Sequence, residues 1–204
     1  YDSEKIKNSS YLLLSMSIFL SYAIRHRNHV DMLHRLSYHD LLTNALNRNA
    51  FMDVLSQFRP GQYASAGIIY IDINGMKEIN DFYGHHQGDK ILITTVAKVF
   101  NLFKPDELFR IGGDEFSLVV CTEFDESLCF RIKEQIQNRL CAPFDIDGKT
   151  LYVGSSCGYA AYPNDASTAN EIRILADQRM YAEKEKHHMF SSLSSSSTGS
   201  GLEK

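Results

Sequence analysis

The amino-acid sequence predicts an α/β protein whose helices flank a central mixed, at least partly antiparallel sheet. Three observations carry this. Strand-like apolar runs such as "ASAGIIYIDI" (Ala64 to Ile73) alternate with stretches of helical periodicity. The runs "LFRI" and "FSLVV" flank Gly112 and Gly113 as the two arms of a hairpin, which makes neighbouring strands antiparallel. One long helical stretch, residues 1–37, precedes the alternation.

That first stretch is apolar early and polar later, and Ala23, Val30 and Ser37 recur at heptad spacing with Leu33 between them. Its apolar part, Tyr11 to Ile24, is shorter than the ~20 residues that span a bilayer. No small-residue cleavage site follows it, so a signal peptide fits poorly. It reads as a helix buried against a neighbouring domain or a second copy. Next, Asn47 is a helix N-cap before "RNAFMDVLSQF". "NGMKEINDFYG" is a helix closed by Gly84, and a second helix is expected from Gly88. Gly112 and Gly113 are expected at positive φ in the hairpin turn. Beyond it come a helix over Glu126 to Leu140, strands within Pro143 to Pro163, a helix over Thr168 to Lys186, and a Ser-rich tail expected to be disordered from Ser191. The division is thus 1–37, 38–190 and 191–204.

Composition excludes several functions. The 204 residues suffice for one good core, and 44% hydrophobic with 23% charged residues is ordinary for a soluble globular protein. A net charge of −4 without a basic run disfavours a general nucleic-acid binder. Cys121, Cys129, Cys141 and Cys157 form no CxxC pair, so zinc and a disulfide framework are disfavoured, and reduced cytosolic thiols are expected.

The chemistry concentrates in acids. Ile69, Ile71 and Ile73 alternate onto one strand face, which leaves Tyr70 and Asp72 on the other. Asp114 and Glu115 stand at the hairpin tip. Taken singly, each acid is a turn or strand-end residue. Taken together, they repel one another unless a hard cation such as Mg²⁺ joins them with substrate phosphates. Gly75, directly after the strand, lets the N–H groups at a helix start approach a phosphate, and Lys77 adds a charge there. Alone, Lys77 reads as a solvated helix residue. Asn80 and Asp89 can read the Watson–Crick edge of guanine, whose adjacent N–H donors suit a carboxylate. Asp89 as a plain helix N-cap explains that residue nearly as well.

Four blocks now carry a resemblance: "DLLTNALNRNAF", "DINGMKEINDFYGHHQGD", "GGDEF" and "ADQRMYAEK". In order and spacing they resemble the GGDEF family of diguanylate cyclases. The resemblance implies a palm-like nucleotidyl-cyclase fold that condenses two GTP into cyclic di-GMP, with pyrophosphate released and a homodimer required. It implies that Asp72, the Ile73 carbonyl, Asp114 and Glu115 bind Mg²⁺, with Mn²⁺ the alternative. Glu115 would serve the 3′-hydroxyl, Asn80 and Asp89 the guanine, and Gly75, Met76, Lys77, Lys184 and His188 the phosphates. Departures are Asn74 for a second Asp, Gly75 for an aromatic, Asn44 for a Gly, and His188 for an Arg. An inhibitory R-x-x-D product site is expected to be missing, because the matching stretch is "FKPD". Residues 11–40 loosely resemble the end of a GAF-type sensor domain running into a connector, implying an upstream sensor. The expected location is cytoplasmic, with membrane attachment of a longer parent left open. Two readings stand: an active cyclase, or a silent GGDEF module that binds GTP or a partner.

Overall fold

A computed structural model describes residues 2–100, 102, 107–121 and 126–197. The chain forms two units, one up to His39 and one from Asp40 onward. The first is a single helix, α1 (Asp2–Tyr38), with exposed apolar side chains including Leu13, Leu14, Ile18, Phe19 and Leu20. Among the described residues no helix is long and apolar enough to cross a membrane.

The second unit runs β1 (Leu46–Asn47), α2 (Arg48–Gln57), β2 (Ala66–Asn74), α3 (Met76–Tyr83), α4 (His85–Phe100), β3 (Leu108–Arg110), β4 (Glu115–Val120), α5 (Glu126–Cys141), β5 (Phe144–Ile146), β6 (Lys149–Leu151), β7 (Gly154–Tyr162) and α6 (Ala169–Ser197). Five strands form a mixed sheet in the order β1-β3-β4-β2-β7, and β5 and β6 form a separate small hairpin. Among the described residues only β1 and β3 pair in parallel; β2 lies antiparallel to both β4 and β7. The expected α/β architecture is therefore present.

Helices cover both sheet faces, which is why β2 is buried on every residue but its last. Ile69, Ile71 and Ile73 pack with Ile91 and Val96 of α4 and Ile132 and Ile136 of α5. On the opposite face Phe51 of α2 meets Tyr70 and Phe109 at centroid distances of 6.0 and 5.5 Å. There α6 presses onto β7 at Gly158, where a Cβ would stand 2.1 Å from the Met180 nitrogen and 2.2 Å from the Ala176 oxygen. The outer edge of β7 is an exposed row of backbone groups, and side chains close it. Cys157 N–H donates to Glu183 at 3.1 Å, Ala161 N–H donates to Asp165 at 2.8 Å, and Arg179 donates to the Tyr159 carbonyl at 2.8 Å.

Asn47 caps α2 as expected, its Oδ1 accepting from the N–H groups of Asn49 and Ala50 at 2.9 and 3.1 Å. Gly84 ends α3 at φ +85°. Three expectations change. The second helix starts at His85 rather than Gly88, so Asp89 lies inside α4 and does not cap it. Gly88 is tolerated there because a Cβ would stand 2.0 Å from Asn80 Oδ1, so the lack of a side chain gives that carboxamide its room. Gly112 and Gly113 are not among the positive-φ glycines. Gly112 instead makes room for an acid, since its Cβ would stand 2.9 Å from Glu115 Oε2. Finally α6 continues past Ser191 to Ser197, because an established helix adds one hydrogen bond per residue and no glycine or proline interrupts it.

The start of α6 is a capping box. Thr168 Oγ1 accepts from Glu171 N–H at 3.3 Å, and Glu171 Oε2 accepts from Thr168 N–H at 3.1 Å. Replacing Thr168 by Ala is expected to lower stability by about 1 kcal/mol in urea unfolding.

Candidate active site

The sheet register assembles the acids. Asp72, near the end of β2, stands opposite Glu115 of β4 on one side and Ser156 of β7 on the other. Asp114 precedes β4, and its carbonyl accepts from Ile73 N–H at 3.1 Å, which pins the hairpin tip to the end of β2. Asp72 is 1% exposed, an environment hostile to an unpaired charge. Its Oδ2 accepts from Lys184 Nζ of α6 at 2.6 Å.

Electrostatics follow from this crowding. Burial raises the pKa of Glu115 above the ordinary glutamate value, and the charges of Asp72, Asp114 and Asp177 push it further, with Lys184 opposing. Burial would pull the Lys184 ammonium down, but the hydrogen bond and charge of Asp72, with Asp114 and Glu115, outweigh it and raise its pKa. Among the described residues, no group of His, Cys, Asp or Glu is grouped in threes so as to hold a metal. The donors nonetheless suit one: Asp72, Asp114 and Glu115 are hard oxygen ligands whose mutual repulsion a dication relieves.

The other expected residues fall into a second group. Gly75 takes φ +80° at the start of α3, Met76 is 5% exposed, and Lys77 is exposed on the same turn. Asn80 on α3 and Gly88-Asp89 on α4 lie together, with no Cβ between Gly88 and the Asn80 carboxamide. No described hydrogen bond joins Lys77, Asn80 or Asp89 to the acids. The side chain of His188 and the stretch Phe103 to Asp106 lie outside the described residues.

Several participants were not singled out from sequence. Asn74 and Ser156 exchange hydrogen bonds at 3.0 and 3.1 Å, so the amide that replaces a second Asp is held by a β7 hydroxyl. Nothing local marks Ser156, because the pairing is cross-strand. Arg110 ties the hairpin to the start of the domain: it donates to the Gly113 carbonyl at 2.7 Å and to Asp40 Oδ1 at 2.8 Å. Burial pushes the Asp40 carboxyl up, but Thr43 and Arg110 outweigh it and hold its pKa below the usual range. A lone Arg two residues before the glycines was the available signal.

Gly112→Ala is a test of how tightly this tip is packed. The nearest atom to the new Cβ is the far end of the Glu115 side chain. The fold is expected to survive, with a stability change below about 1 kcal/mol in thermal melts, while the carboxylate is forced to a new position.

Comparisons with known proteins agree with this arrangement. Residues 37–189 match the family model described as "Diguanylate cyclase, GGDEF domain". A bifunctional diguanylate cyclase/cyclic di-GMP phosphodiesterase, MucR of Pseudomonas aeruginosa, is 32% identical over 156 residues, which is 74% of this chain and 23% of that protein. The diguanylate cyclase TpbB of the same species is 31% identical over 153 residues, 72% of this chain and 35% of that protein. The chain thus spans less than half the length of these relatives. The isolated GGDEF domain of TpbB superposes with a TM-score of 0.64 at 28% identity, covering 73% of this chain and 90% of that one. The coiled coil and GGDEF domain of DgcB from Caulobacter crescentus, solved with c-di-GMP, shares the fold at a TM-score of 0.72 and 24% identity, covering 86% and 95%. With the signature acids of β2 and the β3–β4 hairpin set side by side, this chain belongs to the GGDEF family.

Proposed function

We propose that this chain is a diguanylate cyclase domain, joining two GTP into cyclic di-GMP with release of pyrophosphate. The observation that carries this reading is the pairing of Asp72 with Glu115 across β2 and β4, with Asp114 at the tip and Lys184 delivered from α6.

Asp72, the Ile73 carbonyl, Asp114 and Glu115 are the residues that would hold Mg²⁺ or Mn²⁺, which supplies charge stabilisation to the transferring phosphoryl group. Glu115, with its raised pKa, takes the proton of the ribose 3′-hydroxyl. Lys184 and Lys77, with the N–H groups at the start of α3 and His188, bind the triphosphate. Asn80 and Asp89 bind the guanine edge. The attacking hydroxyl belongs to a GTP on a second copy, so each chain supplies half of a reaction centre. The exposed apolar residues of α1 favour pairing of two chains through that helix, downstream of a sensor in a longer parent.

Incubation of concentrated protein with GTP and Mg²⁺, read by mass spectrometry, tests the reading. Cyclic di-GMP from GTP and no cyclic dinucleotide from ATP is expected. A dimer that binds GTP tightly and yields no product would replace this reading with the silent regulatory module, for which the amide at Asn74 is the supporting feature.

A further inference from the structure

The closing block of the domain places an acid, Glu183, directly before Lys184. Successive helix residues point about 100° apart, so the two side chains serve different surfaces of β7's neighbourhood. Lys184 reaches Asp72 on the sheet face, and Glu183 reaches over the sheet edge. The Glu183 carboxylate accepts from Lys133 Nζ at 2.6 Å, from Gln137 Nε2 at 2.9 Å and from Cys157 N–H at 3.1 Å. Its donors come from α5 and from the edge strand, so one side chain fastens three elements. Cys157 stands opposite Ile71, one residue before Asp72, so the fastening point and the Lys184 target lie on adjacent rungs of the ladder.

We propose that Glu183 is a positioning residue: its carboxylate locks this turn of α6 to β7 and α5, and so fixes the Lys184 ammonium at Asp72. Released from the lock, the turn can rotate or lift, and Lys184 then samples positions from which it reaches neither Asp72 nor a bound triphosphate. The lock also makes Lys133 and Gln137 of α5, both remote from the acids in sequence, part of the site's support. The proposed consequence for substrate rests on the GTP reading above; the consequence for Lys184 does not.

Two measurements decide it. The first is a crystal structure of Glu183→Ala without nucleotide, with Glu183→Gln used instead if the alanine variant does not fold. Loss of the Lys184–Asp72 contact is expected; a contact kept at its 2.6 Å length would overturn the proposal. The second is a double-mutant cycle on GTP affinity by calorimetry. Glu183→Ala and Lys184→Ala are each expected to weaken GTP binding by about tenfold, and the double variant no further than Lys184→Ala alone. Additive losses would mean that Glu183 acts by general stabilisation, against the proposal. Wild-type protein that fails to bind GTP would defeat the functional reading alone, and the crystal structure would still decide the lock.

Discussion

Gly158→Val is expected to prevent this domain from folding. Gly158 lies mid-strand in β7, beneath α6, and the atoms nearest a new Cβ are backbone: Met180 nitrogen at 2.1 Å, Ala176 oxygen at 2.2 Å and Arg179 carbonyl carbon at 2.7 Å. A flexible side chain can swing away from such a contact, but a helix backbone cannot. Relief requires α6 to lift off the sheet. That would uncover Ala176 and Met180, at 0% and 3% exposure, and pull Arg179 from the Tyr159 carbonyl. Overpacking of ordinary cores costs about 1–3 kcal/mol, and a backbone-on-backbone clash belongs above that range. The expected loss is therefore at least about 3 kcal/mol, a large fraction of a domain's stability. Circular-dichroism melts would show it as a missing transition or insoluble protein. Gly113→Ala is the control, since nothing lies within 4 Å of its Cβ and its φ is not positive. A Gly158→Val protein that melts like the control would refute the packing argument.

The contrast shows what local pattern reveals and what it does not. The alternation of Ile69, Ile71 and Ile73 is a period-two signal, and it correctly put Asp72 on the opposite face. The N-cap at Asn47 and the stop at Gly84 are likewise local chemistry, legible because each residue acts on its own neighbourhood. The glycines were harder. A glycine's sequence context does not tell positive φ from close approach, and at Gly112 the second operates: the turn needed space for Glu115. Gly88 in α4 is the same kind of case, with Asn80 as the neighbour. Partners separated along the chain were not legible at all. Ser156 finds Asn74 only because β7 pairs with β2, and Glu183 finds Lys133 and Cys157 only because α5, α6 and β7 meet in space. Strand alternation and the hairpin tip marked the acids and the resemblance to a family supplied Lys184, whereas residues that hold them in place come from the register and the helix contacts.

Glu115→Gln is expected to abolish product formation while making the metal-free protein more stable at neutral pH. For activity, the amide cannot take a proton from a 3′-hydroxyl and is a weaker ligand for a cation, so a loss of at least about 100-fold is expected. Stability moves the other way. In the wild type, burial first and then Asp72, Asp114 and Asp177 raise the Glu115 pKa, which means that ionised Glu115 is less welcome in the folded chain than in the unfolded one. Below the unfolded-state pKa the side chain is protonated in both states and behaves much as a glutamine would. As pH rises through the unfolded and then the raised folded pKa, the wild type loses stability that the variant keeps. The difference in melting temperature is therefore expected to be near zero at acidic pH and to favour the variant as pH approaches neutrality. Glu115 is only partly buried, so solvent screening keeps the gap below about 1 kcal/mol. Adding Mg²⁺ should narrow it by stabilising the wild type preferentially, because a bound dication reverses the sign of the local field. A variant no more stable than wild type across the whole pH range would show that Lys184 already neutralises the site, and the case for a cation drawn in by repulsion among Asp72, Asp114 and Glu115 would fall.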